Sequence, residues 1–477
     1  MAPERERGAG RNNRDRRKER GAAQRPQGRA VSAKAASWRQ VRPGSANAAS
    51  APKEGGVSTR FSPPLAALCA EALSEVARFE HPADAVLSRL FREHREAGQQ
   101  DRALIAETVY AALRRWRLLH TVAPNAGMRR LALAAWATQL GANLRELEAC
   151  LQRGDHDWLA EVKGAAAAPQ PFEVEADLPD WIIAELRSRF DDATLLAHAR
   201  ALQKPAPLDL RVNLLRASRD EVLARLPAAG LAGAATPYSP AGIRLAAKPA
   251  IQRNALFTEG LVEVQDEGSQ LLAWLVEPRR GEMVVDYCAG AGGKTLALGA
   301  LMKSTGRLYA FDVSARRLEN LRPRLARSGL SNVHPQRIER GRDPHVKRLA
   351  GKIDRVLVDA PCSGLGTLRR NPDLKLRQSP RSVDELVALQ AGILDEAARL
   401  VKPGGRLVYA TCSILERENR GSVSAFLTRF PDFHILPAGE VLRAQRIALD
   451  CGEYLELWPD IHGTDGFFAA VMVRAGN

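Results

Sequence analysis

The sequence has few cysteines and no long apolar run. Its six cysteines contain no CxxC pair, which argues against a zinc ribbon or a disulfide framework and favours a reducing, cytoplasmic setting. No uninterrupted apolar stretch approaches the roughly 20 residues of a membrane span, and the N-terminus lacks the apolar region of a secretory signal. We therefore expect no membrane partner. The 45% apolar content and the length of 477 residues instead predict a globular protein of two to four domains.

Positive charge is concentrated at the N-terminus. The chain carries a net charge of +15, and residues 1–60 hold 15 Lys and Arg against five Asp and Glu. This segment has almost no large apolar residues, so we predict a disordered basic tail. Such a tail could neutralise phosphates in a salt-dependent way, or it could only solubilise the chain.

Residues 61–165 read as a helical domain. The clearest helix is predicted to start with Asp101 as its N-cap, because apolar residues recur at helical spacing after it. Arg114, Arg115 and Arg117 near its end are open to two interpretations, a solvated bundle face or an RNA-contacting basic helix. The apolar positions are Leu104, Ile105, Val109, Ala112, Leu113 and Trp116.

A linker at Gly164–Pro171 precedes a small α+β module over residues 170–258. Helical and strand-like segments alternate here within fewer than 100 residues, which is typical of such a module. The predicted elements are the helix Trp181–Phe190, the strand Leu208–Leu215, the capped helix Ser218–Leu226 and the strand Gly242–Ala247.

Residues 259–477 repeat a pattern of strand, polar turn and helix. Alternating units of this length predict an α/β domain with a mostly parallel, doubly wound sheet. Ligands of such sheets bind beyond the carboxyl ends of the strands. The loops expected there are CAGAGGKT from Cys288, DAPCSGLG from Asp359 and ATCS from Ala410, the last following the predicted turn Lys402–Gly405.

The glycine loop fits neither common phosphate motif. A Walker A motif would need glycine where Cys288 stands, and the dinucleotide pattern fails at Thr295. What remains is a compact turn that lets backbone approach a ligand closely. Asp312, at the end of the next strand, can accept hydrogen bonds from ribose hydroxyls. The combination suits S-adenosylmethionine, whose sulfonium is joined directly to the sugar.

Cys362 and Cys412 are predicted to face one pocket. No histidine pair or further cysteine completes a tetrahedral metal set, so we expect no metal. A redox pair has no local support. The third interpretation is covalent catalysis on a pyrimidine ring, in which a thiolate adds to C6 and activates C5. The residues alone do not decide which cysteine attacks.

Five ordered motifs resemble those of the Nol/Nop/Sun family of RNA cytosine-C5 methyltransferases, closest to the bacterial Sun/Fmu type that acts on small-subunit ribosomal RNA. They are DYCAGAGGKT, FDVSARRL, DAPCSGLGTLRRNPD, ATCSILERENR and HGTDGFF. The segments LRVNLLRAS and VEVQDEGSQLL resemble that family's RNA-binding module and the entry to its catalytic domain. The resemblance implies a Rossmann-like class I methyltransferase domain, preceded by the α+β RNA-binding module and an all-α NusB-like domain.

The resemblance also implies residue roles. Cys412 would attack C6 of the cytosine, Cys362 would assist product release, and Asp359 would hold the base at N3. We expect a monomer that acts on structured RNA, most simply ribosomal RNA. The residues implied to hold S-adenosylmethionine are Cys288, Ala289, Gly290, Ala291, Gly292, Gly293, Lys294, Asp312, Arg317 and Asp359.

The chain departs from the family pattern at Ala291, where proline is common, which leaves the shape of the loop open. Glu339 and Asp343 compete for the adenine contact. Other functions also stay open. A DNA cytosine methyltransferase would use Cys362 as its nucleophile, and an amino-methylating enzyme would need no thiol. A non-catalytic RNA-binding assembly factor would need neither cysteine.

Overall fold

The computed structural model describes residues 60–339 and 343–476. The predicted basic tail, apart from Arg60, lies outside the described residues. Within them, no helix combines the length and the apolar character that a membrane crossing requires.

The first described region is a set of helices around one apolar core. Trp136, Leu73, Leu87 and Ile105 are fully buried in it. The helices are α1 (Pro63–Val76), α2 (Ala83–Glu93), α3 (Gln99–Arg114), α4 (Trp116–Val122), α5 (Met128–Thr138), α6 (Leu144–Leu147) and α7 (Asp155–Ala167), with a 3₁₀ turn at Glu148–Cys150.

Helix α3 begins earlier and ends sooner than predicted. Asp101 is its third residue rather than its N-cap, and its carboxylate accepts a hydrogen bond from the Gly98 amide at 2.9 Å. The backbone leaves helical geometry at Arg115, so α4 is a separate helix. The linker predicted at Gly164–Pro171 is also partly wrong, because α7 continues to Ala167.

The arginines that end α3 and begin α4 have a role that the sequence did not suggest. Arg115 donates to the Glu175 carbonyl at 3.1 Å, and Arg117 donates to the Leu178 carbonyl at 2.9 Å. These bonds fasten the helical region to the next helices. Those helices are α8 (Phe172–Ala176), α9 (Asp180–Arg187) and α10 (Asp192–Leu202).

A small antiparallel sheet follows, in the strand order β2-β3-β1-β4. Ser218 caps its main helix through a reciprocal capping box with Glu221, as predicted. Strand β4 lies beyond residue 258, and the predicted domain limits remain predictions. The elements are β1 (Leu208–Val212), α11 (Arg219–Arg225), β2 (Gly233–Ala235), β3 (Gly242–Leu245), α12 (Ala255–Thr258) and β4 (Val262–Val264), with 3₁₀ turns at Pro227–Ala229 and Ile251–Arg253.

The remaining residues form the predicted α/β domain. Its elements are α13 (Glu267–Val276), β5 (Met283–Asp286), α14 (Gly293–Leu301), β6 (Arg307–Asp312), α15 (Ala315–Ser328), β7 (Val333–Arg337), α16 (Pro344–Arg348), β8 (Ile353–Asp359), α17 (Leu374–Arg377), α18 (Pro380–Ala398), β9 (Val401–Thr411), α19 (Arg420–Arg429), β10 (Phe433–Leu436), α20 (Ala438–Ala444), β11 (Leu455–Leu457), α21 (Pro459–His462) and β12 (Phe467–Arg474). Two 3₁₀ turns lie at Leu365–Thr367 and Glu416–Glu418.

The large sheet has the order β10-β12-β9-β8-β5-β6-β7, with β11 paired to β12. Strands β5 to β9 are parallel, and β12 runs antiparallel beside β9. Val356, Leu357 and Val358 are fully buried, as expected for a strand covered on both faces. The doubly wound fold is therefore confirmed, and its strand order reverses between β5 and β8, where such folds bind ligands.

The turn predicted at Lys402–Gly405 lies inside strand β9. Val401 pairs with Ile353, and the ladder resumes with Arg406 opposite Arg355. The residues between them form an irregularity, and Gly404 has a φ of +72°. The glycine pattern thus marks a bulge in the strand.

Candidate active site

Cys362 and Cys412 follow the ends of two neighbouring parallel strands. Asp359, the last residue of β8, is paired with Ala410 on β9, so the two loops start side by side. The sulfur atoms of the two cysteines are 3.4 Å apart. A disulfide would bring them to about 2.05 Å. The two cysteines are therefore in hydrogen-bond contact.

The environment of Cys362 disfavours its ionisation. The hydrogen bond with Cys412 raises the pKa of Cys362 well above its usual value, and burial and the charge of Glu418 act in the same direction. Either sulfur can be the donor in the contact between Cys362 and Cys412. The raised pKa disfavours the thiolate form of Cys362.

Lys294 forms an ion pair with Asp359 beside the two sulfurs. Its Nζ lies 2.7 Å from Oδ2 of Asp359, and the two side chains are 14% and 27% exposed. Burial lowers the pKa of Lys294, but the charge of Asp359 outweighs burial and leaves the pKa raised, with a smaller contribution from Cys412. An ammonium group therefore stands near both Asp359 and Cys412.

The cations that follow Cys362 in the sequence have protein partners elsewhere. Arg369, Arg370 and Lys375 are all largely buried. Their partners are the Gly463 and Thr464 carbonyls for Arg369, Asp266 and Asp465 for Arg370, and Asp177 with the Arg114 carbonyl for Lys375. They hold the loop in its place, whereas Lys294 is close enough to Cys412 for their charges to interact.

The glycine loop joins β5 to α14. Gly290 has a φ of +56°, and a Cβ added to it would find no other atom closer than 3.9 Å. Its amide donates to Oδ2 of Asp312 at 2.9 Å. Gly292 has a φ of +84°, and a Cβ there would lie 2.1 Å from Leu321. Glycine at 292 is required by packing, whereas glycine at 290 leaves bare backbone for a ligand.

Two arginines fix the carbonyls of this loop. Arg324 of α15 donates to the Ala291 carbonyl at 2.7 Å. Arg211 of β1 donates to the Gly293 carbonyl and to the side chain of Gln265. The alanine at position 291, where the family often has proline, therefore stands in a loop held from both sides.

Asp312 and Arg317 lie at the end of β6, next to this loop. Asp312 accepts bonds from the amides of Gly290 and Ser314, and Arg317 Nη1 is 3.6 Å from its Oδ2. A carboxylate has about four acceptor sites, so Asp312 can still receive hydroxyl donors. Bare backbone and a carboxylate acceptor fit the nucleoside part of S-adenosylmethionine. The contacts of the ten predicted cofactor residues remain predictions.

Sequence reasoning missed Asp286, which ends β5. It is buried, its Oδ2 accepts from Thr295 at 2.7 Å, and its Oδ1 has no hydrogen-bond partner among the described residues. Burial raises the pKa of Asp286 to about 7. A signal existed, because β5, β6 and β8 all end in aspartate. No prediction was made for the buried Glu418, although it lies in the motif ATCSILERENR.

The two acids left open for the adenine contact differ in their surroundings. Asp343 caps α16 and accepts hydrogen bonds from the amides of His345 and Glu339 at 2.8 and 3.0 Å. These bonds outweigh burial and lower the pKa of Asp343. Glu339 is exposed. Its carboxylate is the more accessible of the two.

Two family models match the chain. One is described as 16S rRNA methyltransferase RsmB/F and covers residues 273–473. The other is an RsmF/B-like ferredoxin-like domain and covers residues 178–252. Both lie in the part of the chain that carries the candidate site and the small sheet.

Individual proteins extend this match to most of the chain. A probable ribosomal RNA small subunit methyltransferase B of Synechocystis sp. is 32% identical over 420 residues, or 87% of this chain and 92% of that protein. The ribosomal RNA small subunit methyltransferase B of Klebsiella pneumoniae is 36% identical over 63% of this chain and 66% of its own length. The crystal structure of PH0851 aligns with a TM-score of 0.69 and 26% identity over 86% of this chain and 99% of that one. These matches confirm the resemblance to the Sun/Fmu type.

Proposed function

The chain belongs to the 16S rRNA methyltransferase RsmB/F family, which makes it an S-adenosylmethionine-dependent RNA methyltransferase, and we propose that it methylates C5 of a cytosine in ribosomal RNA through a covalent bond between Cys412 and C6. The observation that carries the proposal is the 3.4 Å contact between the sulfurs of Cys412 and Cys362. S-adenosylmethionine, when bound, supplies an electrophilic methyl group.

Attack by Cys412 is the first step. C5 of cytosine is a poor nucleophile, and addition of a thiolate to C6 turns the ring into an enamine-like species with a reactive C5. The raised pKa of Cys362 supports Cys412 as the attacking sulfur, because it disfavours the thiolate form of Cys362. The ammonium of Lys294 stabilises negative charge on Cys412.

Asp359 would hold the base at N3. Electron density moves onto the ring when C6 is attacked, and N3 is then stabilised by a hydrogen bond. Lys294 Nζ lies 2.7 Å from Asp359 Oδ2, so the ammonium can pass a proton to Asp359. The carboxyl group of Asp359 would then donate a hydrogen bond to N3 as that nitrogen becomes more basic.

Cys362 would assist the final step. Once C5 carries the methyl group, a solvent water takes the C5 proton, the electron pair of the C–H bond forms the C5=C6 double bond, and the bond between C6 and Cys412 breaks. The electron pair of that bond returns to the Cys412 sulfur as a thiolate. The Cys362 thiol, in contact with that sulfur, stabilises the departing thiolate by a hydrogen bond.

Two cysteine variants test this division of labour. Cys412→Ala is expected to abolish methyl transfer and any covalent protein–RNA complex. Cys362→Ala is expected to slow turnover and to accumulate a complex that survives denaturing electrophoresis. The assay uses labelled S-adenosylmethionine and deproteinised ribosomal RNA. Turnover by Cys412→Ala together with no complex in Cys362→Ala would show that Cys362 attacks, as in a DNA-type enzyme.

The substrate is tested by mapping. Bisulfite sequencing of ribosomal and transfer RNA from cells with and without the gene would locate the methylated cytosine. We expect one site in small-subunit ribosomal RNA, which the enzyme would reach in the cytoplasm. RNA binding without methyl transfer by the intact chain would support the assembly-factor alternative instead.

A further inference from the structure

Glu418 lies between the two cysteine loops and is fully buried. Its Oε1 accepts a hydrogen bond from the Ser363 amide at 2.8 Å, and its Oε2 accepts one from the Ser413 hydroxyl at 2.5 Å. Ser363 directly follows Cys362, and Ser413 directly follows Cys412. One carboxylate therefore bonds to the neighbours of both cysteines.

We propose that Glu418 is a positioning residue for the methyl transfer, whose carboxylate locks the two cysteine loops together and whose charge opposes ionisation of Cys362. The role of Glu418 in catalysis rests on the proposed function. The interactions that carry it do not depend on that function.

The hydrogen-bond directions around Ser413 follow from the charge of Glu418. An ionised carboxylate only accepts hydrogen bonds, so Ser413 must give Glu418 its single hydroxyl proton. The Leu415 amide donates to the Ser413 oxygen at 3.1 Å. The Ser363 hydroxyl, 3.0 Å away, must therefore donate to Ser413 as well. The chain of bonds runs from the Cys362 loop through the Cys412 loop to Glu418.

The sheet and a helix beneath hold Glu418 in place. Gln390 of α18 donates to Oε1 at 3.0 Å and to the Pro361 carbonyl at 3.0 Å. The Tyr409 hydroxyl of β9 donates to the main-chain carbonyl of Glu418 at 2.7 Å. Glu418 forms no ion pair with any residue that the structure describes. Its negative charge is thus stabilised by hydrogen bonds and left uncompensated.

An uncompensated buried charge acts on its neighbours. The titratable groups that face Cys362 are Cys412, Glu418 and Tyr409, while Lys294 faces Cys412. A negative charge opposes ionisation of a thiol, so Glu418 opposes it at Cys362. This agrees with the geometry, in which Cys412 is the sulfur next to the ammonium.

The substitution Glu418→Gln removes the negative charge of the side chain and keeps its shape. The glutamine oxygen can still accept from the Ser363 amide, and the Ser363–Ser413 bond can reverse so that Ser413 accepts from the new amide group. Ser413→Ala makes the complementary change, because it removes the hydroxyl bridge and keeps the charge. The matched control is Glu456→Gln, since Glu456 is a partly buried acid paired with Arg189 and Arg420.

The charge is tested by alkylation of Cys362 with iodoacetamide across pH, quantified by peptide mass spectrometry on full-length protein. In Glu418→Gln the pH midpoint for Cys362 should fall, because a negative charge that opposes ionisation is removed, and in Glu456→Gln it should stay at the wild-type value. An unchanged midpoint in Glu418→Gln, or an equal fall in the control, would overturn the assignment of the charge.

The hydrogen-bond bridge through the Ser413 hydroxyl is tested by steady-state kinetics. Ser413→Ala should lower kcat about tenfold while leaving both KM for S-adenosylmethionine and the Cys362 midpoint at wild-type values. Wild-type kcat in this variant would refute the positioning role. The alkylation needs neither RNA nor cofactor, so a chain that failed to methylate cytosine would refute the proposed function and leave the alkylation result interpretable.

Discussion

Replacing Asp359 by asparagine is expected to destabilise the protein by about 2 kcal/mol. The substitution leaves the ammonium of Lys294 without its partner in a site where that side chain is only 14% exposed. Removing one partner of a fully buried pair costs about 3–5 kcal/mol, and exposed pairs contribute about 0–1 kcal/mol. Asp359 is 27% exposed, so an intermediate loss is expected.

The destabilisation of Asp359→Asn should depend on pH. Burial is the largest influence on the pKa of Lys294 and lowers it, and in the wild type Asp359 reverses this. Without Asp359 the folded-state pKa falls below that of the unfolded chain, so the unfolded state binds more protons. Stability of the variant relative to wild type should therefore rise as pH increases from 7 towards the ordinary lysine pKa of about 10.4.

Urea unfolding of four proteins measures this coupling. They are the wild type, Asp359→Asn, Lys294→Met and the double variant. The double variant should be more stable than Asp359→Asn alone, because it contains no unpaired buried charge. Strict additivity of the two single effects, or a pH-independent loss in Asp359→Asn, would refute the reasoning.

Two further predictions concern the same strand ends. Burial raises the pKa of Asp286 to about 7, so the folded state binds a proton that the unfolded state has lost. The free energy of unfolding should therefore fall as pH rises from about 4 to 7, by up to about 4 kcal/mol. Asp286→Asn should lose this dependence in urea unfolding, and the same pH dependence of stability in variant and wild type would contradict the prediction. Gly292→Ala should cost about 2–3 kcal/mol in thermal unfolding, because its Cβ would lie 2.1 Å from Leu321 at a φ of +84°. Gly281→Ala is the matched control, since it has a φ of +82° and no atom within 4 Å of its Cβ; an equal loss in both variants would exclude the clash.

Local patterns predicted the sheet and the meeting of the two cysteine loops. Apolar strands that end in polar residues predicted that Cys362 and Cys412 lie close together, because the carboxyl ends of parallel strands meet at one edge of the sheet. Local sequence patterns could not predict the ion-pair partners of Arg370. Its acids, Asp266 and Asp465, lie about 100 residues away in either direction, and only the packing of three segments brings them together.

The errors in the predicted helix boundaries also come from contacts that local sequence does not show. Asp101 resembles an N-cap, but an acid at the third position of a helix forms a bond with the preceding amide that sequence cannot distinguish from a cap. Glu418 was overlooked because a charged residue in a motif is read as exposed. Its burial depends on Gln390 and on the two serines that it bonds.

The attachment of Lys375 has a consequence for how the protein is made. Its ammonium binds the Asp177 side chain and the carbonyls of Asp177 and Arg114, all far earlier in the chain. Leu365 and Leu368 pack against helices α9 and α10 in the same way. During synthesis the N-terminal segments emerge first, but the core of α9 and α10 also contains Val383, Leu415 and Trp458. That core is complete only when the later residues have been made, and a fragment beginning at residue 259 would lack the helices that hold Lys375.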